Sequence, residues 1–291
     1  MTESASPDAE MRAITDAADA VLAKYRDLPP TPSVIYHYTS LEAAMKILET
    51  SKVWCSNLRY SNDPSEAEYG KHLLDAVLTK DPDLKLEGLR KGIADLDTYA
   101  VSLSADGDLL PQWRAYCRNG RGVSVGVRFE ALRQRTSMIF MRVIYDEGEQ
   151  RQFIRDMLDV FRKPLLAARH DEAKLDPLVR KLALYLAIIR SALKSAAYES
   201  EREYRLLDLL PNKLDEPHEG LLFRVSAGAV VPYLVADLKA STAKPAAEPI
   251  EHLRVGPCLD YDLIRASFAL YGSQTARQVN IIRSSVSMRC E

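Results

Sequence analysis

This chain is poor in the features that assign a protein quickly to a class. Its four cysteines, Cys55, Cys117, Cys258 and Cys290, are scattered and form no CxxC pair. That spacing argues against a disulfide framework or a zinc site and suggests reduced thiols in a cytoplasmic protein. His72, His170, His218 and His252 stand apart without HExxH or HxH spacing, so no metal centre is expected. No apolar run approaches the ~20 residues of a membrane span. The opening Met1 to Asp16 is acidic and polar, with no apolar segment of the signal-peptide kind. A formal net charge of -2 gives no global drive toward nucleic acid or membrane. There is no GxxxxGK[ST] and no GxGxxG after a strand. Gly120-Arg121-Gly122 reads as a tight turn.

What is present is an ordinary globular composition, 47% hydrophobic and 27% charged, enough for a large core. Residues 7–26 have helical periodicity and end in a Pro-rich connector, Asp27 to Pro32. Residues 1–33 therefore read as an N-terminal arm. From 34 onward, short β-branched strands mix with helices without regular βαβ alternation. That pattern predicts a single α+β domain over 34–291. Strands are expected at Val34–Ser40, Val53–Ser56, Tyr99–Ser104, Val123–Phe129 and Met138–Tyr145. Two amphipathic helices, about 147–168 and 176–197, read as a hairpin inserted at about 147–198. Asp108 is expected to cap a short helix through Trp113 and Tyr116.

Three segments carry polar residues where a strand would ordinarily be apolar. In the stretch Tyr198 to Leu207, strand alternation puts Glu201, Glu203 and Arg205 on one face. Ser102 and Ser104 share a face opposite Val101 and Leu103. His37 shares one with Ile35 and Thr39. Each alone is unremarkable, since a charged edge strand or a satisfied histidine explains it. The order histidine, Ser-x-Ser, Glu-x-Glu makes the set informative.

That order resembles the ADP-ribosyltransferase superfamily, in which an early His or Arg holds a ribose of NAD. A middle strand there supports the nicotinamide pocket, and a late glutamate stabilises the ribosyl cation. Cleaving a glycosidic C–N bond through such a cation calls for a fixed carboxylate beside the developing charge. The motifs Tyr36-His37-Tyr38-Thr39-Ser40, Ser61-Asn62-Asp63-Pro64-x-Glu66, Ser102-Leu103-Ser104, Trp113-x-x-Tyr116, Arg121-Gly122-Val123 and Glu201-x-Glu203-Tyr204-Arg205 are also similar to the bacterial domain of unknown function 2971 family. This second resemblance spans about Ile35 to Ile282.

The resemblance implies a split mixed sheet with peripheral helices and NAD as co-substrate. It implies mono-ADP-ribosylation of a macromolecular acceptor, protein or nucleic acid, in a toxin or phage-defence setting with an antitoxin or defence-system partner. Glu203 is expected as the catalytic carboxylate and Glu201 as the residue orienting the acceptor or the ribose. His37 and Thr39 would hold the ribose, Ser102 and Ser104 would support the site, and Trp113 or Tyr116 would stack on a ring. Tyr38, Asn62, Asp63 and Arg205 complete the expected nucleotide-binding set. Transferases with histidine on the first strand usually carry Tyr on the middle one, whereas this chain has Ser-x-Ser, so the acceptor class stays open. The rival reading is a non-catalytic nucleotide-binding or sensor protein whose polar residues form a buried network. An open cleft would favour the first reading, a closed and fully paired interior the second.

Overall fold

The strand order determines where a cleft can open. The computed structural model describes residues 7–26, 31–61, 64–81, 86–133, 138–213, 215–226, 228–239 and 248–290. Asn62 and Asp63 lie outside these residues. Among the described residues the strands are β1 Val34–Thr39, β2 Lys52–Asn57, β3 Leu96–Ser104, β4 Val123–Arg128, β5 Ile139–Arg142, β6 Glu203–Pro211, β7 Leu222–Ser226, β8 Ala229–Asp237, β9 Ile250–Val255 and β10 Asn280–Arg283. They form one sheet in the order β10-β9-β4-β1-β3-β2-β8-β7, with β6 on β3 and β5 on β6. Every pairing is antiparallel except the β9–β10 edge, which is parallel. With nine α-helices among the described residues, the fold is α+β with a mixed sheet.

β3 is the branch point. One of its edges pairs with β6 along its whole length, from Leu96↔Pro211 to Ser104↔Glu203. Two strands share the other edge. β2 meets it at Ser56↔Ala100 and Asn57↔Tyr99, and β1 meets it at Tyr36↔Ser104. β1 then follows β4, and β2 follows β8, so the two diverge. Between them the Val101–Leu103 edge of β3 is left without a ladder partner. A sheet that splits in this way exposes backbone polar groups that something else must satisfy.

The helices cover the sheet unevenly. α7 Glu147–Ala168 and α8 Glu172–Ser191 form a hairpin inserted between the paired strands β5 and β6. Asp146 caps α7 by accepting from the Glu149 amide, and Asp171 caps α8 by accepting from the Lys174 amide. The apolar stripes Phe153, Met157, Phe161 and Leu182, Leu186, Ile189 are fully buried between them. The N-terminal α1, Pro7–Arg26, packs on α7, where Tyr25 stacks on Phe153 at 4.2 Å and its hydroxyl donates to Asp156. The arm is thus part of the core.

Two expectations are corrected here. α8 begins and ends earlier than its apolar pattern suggests, because Asp171 rather than Asp176 supplies the cap and the helix stops at Ser191. A 3-10 turn at Ala196–Glu201, capped by Ser195, replaces the expected last turns. The cysteines are not all thiols. Cys258 and Cys290 form a disulfide across 32 residues, while Cys55 and Cys117 are free and buried. The bond ties the C-terminal tail to the turn before α9, Tyr261–Thr275, a proximity that no local spacing encodes.

Candidate functional site

The gap between β1 and β2 opens into a cleft of about 270 Å³. His37 and Tyr38 from β1, Ser102 and Ser104 from β3, Tyr116 from α5 (Leu110–Tyr116), Glu201, Glu203 and Arg205 all line it. The sequence motifs therefore converge on one cavity, although Glu201 is separated from Ser102 by the whole helical hairpin. Tyr36, Trp54, Tyr60 and Tyr198 add an aromatic margin, and Lys194 and Arg224 add cations.

His37 answers part of the backbone problem left by the split. Its Nδ1 lies 3.1 Å from the carbonyl oxygen of Ser102, in the unpaired stretch of β3. A carbonyl only accepts, so Nδ1 carries the proton and Nε2 is left as an acceptor. Burial lowers the imidazole below its usual 6.5, and the Ser102 contact only partly opposes this. The ring is therefore neutral at physiological pH, with one lone pair to offer.

The floor of the cleft is a charge cluster. Arg205 holds Glu203 through Nε at 2.8 Å and Nη2 at 3.0 Å, and donates Nη1 to the Ser191 carbonyl at 2.6 Å. Lys194 donates to Glu203 at 3.0 Å and to Glu201 at 2.6 Å. The Tyr145 hydroxyl accepts from the Glu203 amide at 2.9 Å. Two cations thus answer two carboxylates. Burial works against the Lys194 charge, but the Glu203 and Glu201 carboxylates more than offset it and raise its pKa. Burial brings the Arg205 guanidinium down to about 10, still charged at neutral pH.

Glu201 does not share a strand with Glu203. β6 begins at Glu203, and Glu201 closes the 3-10 turn ahead of it. Arg202, in the left-handed region at φ 46, reverses the chain between them. The two carboxylates reach the same lysine by this turn, not by strand alternation. They also differ in exposure: the Glu203 side chain is 5% accessible and that of Glu201 16%.

Three further residues depart from expectation. Trp113 is fully buried, packs edge-on against Tyr38 at 4.9 Å and donates Nε1 to Asp108 at 2.9 Å. It is absent from the cleft wall and cannot stack on a ring there. Thr39 also lies off the wall, with its carbonyl accepting from the Cys117 thiol. Asp108 is not a helix cap, because Leu109 holds that position. Its carboxylate takes Trp113 Nε1, both Ser284 and Ser285 hydroxyls and the Ser285 amide. The tail residues compete for the oxygens a cap would use.

Lys194, Trp54, Tyr36 and Arg224 were not anticipated. Lys194 had one signal, as a lone cation in the otherwise apolar and small-residue run from Ser191 to Ala197. Trp54 looks like an ordinary strand aromatic until the split leaves it at the mouth. It is 49% exposed, with Arg224 over its ring at 5.7 Å and Tyr233 beside it at 4.8 Å. Among the described residues no group of three or more His, Cys, Asp or Glu side chains could hold a metal. No described helix is long and apolar enough to cross a membrane.

The fold and cleft define an α+β protein with a polar, aromatic-rimmed cavity at a split in its sheet. The family model that matches is described as "Protein of unknown function (DUF2971)" and covers residues 112–206. That span runs from α5 into β6 and so includes Tyr116, Lys194, Glu201, Glu203 and Arg205, while His37 and Ser102 lie before it. No curated protein and no solved structure matches the chain.

Proposed function

We propose that the cleft binds NAD and that the protein transfers ADP-ribose from it to an acceptor. The observation that carries this reading is the meeting of His37, Ser102, Glu201 and Glu203 in one cavity. His37 Nε2 would accept from a ribose hydroxyl, and a margin of exposed aromatic rings suits a base or a nicotinamide. The charge cluster redistributes the carboxylate roles. Glu203 is held by Arg205 and Lys194 and is nearly inaccessible, which leaves it little to offer a developing cation. Glu201, more accessible and with its carboxylate tied among the described residues to Lys194, is the better placed stabiliser of a ribosyl cation. Glu203 then positions Lys194 and Arg205. This reverses the order of importance that the Glu-x-Glu pattern suggests.

The test is incubation of the pure protein with labelled NAD while free nicotinamide is followed, alone and with protein or nucleic-acid acceptors. Glu201→Gln should cut release about 10²-fold while leaving NAD affinity nearly unchanged. Wild-type turnover in a folded Glu201→Gln variant would sink the assignment. A second reading has its own support in the complete pairing of Glu203, which is how a structural network looks. On that reading the protein is a nucleotide sensor. ADP-ribose would raise the melting temperature by mass action with no nicotinamide released under any condition.

A further inference from the structure

Arg205 separates the cleft from a second cavity of about 360 Å³. Leu58, Ser61 and Arg205 line both. The second cavity lies between the 3-10 turn Leu58–Tyr60, the helix α3 Pro64–Leu78, β3 and the end of α8. Its wall carries four cations, Arg59, Lys71, Arg190 and Arg205, against the two carboxylates Glu68 and Asp97. Three of the cations are answered: Arg205 by Glu203 behind it, Arg59 by Asp97 at 2.7 Å, and Lys71 by Glu68 at 3.6 Å.

Arg190 is not answered by a carboxylate. Its one hydrogen bond among the described residues is from Nη2 to the Leu96 carbonyl, at 3.4 Å. Burial and the neighbouring Arg59 guanidinium both lower its pKa, and Asp97 and Glu68 oppose them only from a distance. A half-buried guanidinium with one weak partner and a like charge beside it keeps donors free for an anion in the cavity. The five donors of an arginine form a planar fork suited to carboxylate or phosphate. The fork of Arg190 faces this space without a carboxylate, and that of Arg59, held by Asp97, borders the same space.

We infer that this second cavity is a binding site for a phosphoryl group, with Arg190 as its principal ligand and Arg59 as the second. The site does not depend on NAD turnover in the neighbouring cleft. The source of the phosphoryl group is a small phosphate or a nucleotide, and the two are separable by comparing pyrophosphate with ADP.

The experiment is calorimetric titration of the full chain with pyrophosphate, paired with thermal melts against malonate and against sodium chloride at matched ionic strength. Pyrophosphate should bind and raise the melting temperature, malonate should bind more weakly, and chloride should do neither. Arg190→Gln keeps a donor for the Leu96 carbonyl and should weaken pyrophosphate binding by about tenfold or more. Arg59→Gln, at a more exposed position, should weaken it by less. Without ligand, Arg190→Gln should melt no lower than the wild type, since it relieves a repulsion. ADP binding more tightly than pyrophosphate, with the same loss in Arg190→Gln, would assign a nucleotide as the source. The inference is overturned if pyrophosphate fails to bind, if Arg190→Gln binds it equally well, or if malonate matches it. It is also overturned if the unliganded variant melts well below the wild type or fails to fold, because Arg190 is then structural.

Discussion

The two cavities on either side of Arg205 handle charge in opposite ways. On the cleft side, Glu203, Glu201, Lys194 and Arg205 neutralise one another within a few ångströms. On the other side, Arg190 is left with a distant field and one weak hydrogen bond. Burial is therefore not by itself the mark of a binding group here. A buried charge that is already paired holds the structure together, whereas one that is not paired invites a ligand. The carboxylates of the cleft differ in the same way, with Glu203 enclosed by its partners and Glu201 the more accessible of the two.

The wall itself gives the largest expected effect. Arg205→Leu removes two of the donors to Glu203, leaving Lys194, and leaves the Ser191 carbonyl without its Arg205 donor in a buried position. Breaking one partner of a buried ion pair typically costs about 3–5 kcal/mol, and urea denaturation should show a loss of that size. Replacing Glu203 and Arg205 together by Gln should recover part of it, because no uncompensated charge then remains at the pair. If Arg205→Leu loses less than about 1 kcal/mol, the floor is not a paired network and the contrast between the cavities fails.

A smaller effect is expected from His37, which belongs to the cleft but carries no charge at neutral pH. Burial lowers its pKa, so between that value and the usual 6.5 the unfolded chain binds more protons than the folded one. Stability therefore rises with pH through this window and is lost as pH falls below about 6.5. His252 is lowered by burial too and adds to the same slope. Melts from neutral pH down to about 5 should show the loss, and His37→Gln, which keeps a donor for the Ser102 carbonyl, should flatten it. An unchanged slope in His37→Gln would mean that the imidazole is solvated and does not hold the edge of β3.

Much of the cleft was legible because strand alternation and chain order are local properties. His37, Ser102 and the Glu203–Arg205 pair stand out as polar residues in strands, and the hairpin between β5 and β6 announces itself by its period. The remainder depends on contacts that no local pattern contains. Lys194 reaches the cleft because α8 stops at Ser191, and Glu201 reaches it because Arg202 turns the chain through a left-handed conformation. Trp113 and Tyr116 look alike in a Trp-x-x-Tyr motif, yet one is sealed under Tyr38 and the other lines the cavity. The Cys258–Cys290 bond and the Arg59–Arg190 juxtaposition join residues far apart in the chain. Above all, the split in the sheet follows from β1 and β2 sharing one edge of β3, which is a fact of long-range pairing.

The smallest effect on stability, and the most direct reading of the cleft, is expected at Trp54. The chain has two tryptophans, and the structure separates them: Trp113 is fully buried and Trp54 is half exposed at the mouth. Trp54 sits on β2 opposite Val235, and its neighbours Arg224 and Tyr233 still cover the strand if the indole is trimmed to Leu. Trp54→Leu should therefore change stability by no more than about 1 kcal/mol. A ring that stacks on the indole loses roughly 0.5–1.5 kcal/mol, so ADP-ribose should bind about two- to twelvefold more weakly by calorimetry. Fluorescence offers an independent check, because ADP-ribose should quench the wild-type emission and leave that of Trp54→Leu, which reports only Trp113, nearly unchanged. Quenching that persists in Trp54→Leu would place the ligand against the buried core and away from the aromatic margin. Equal affinity in the two proteins would remove Trp54 from the site altogether.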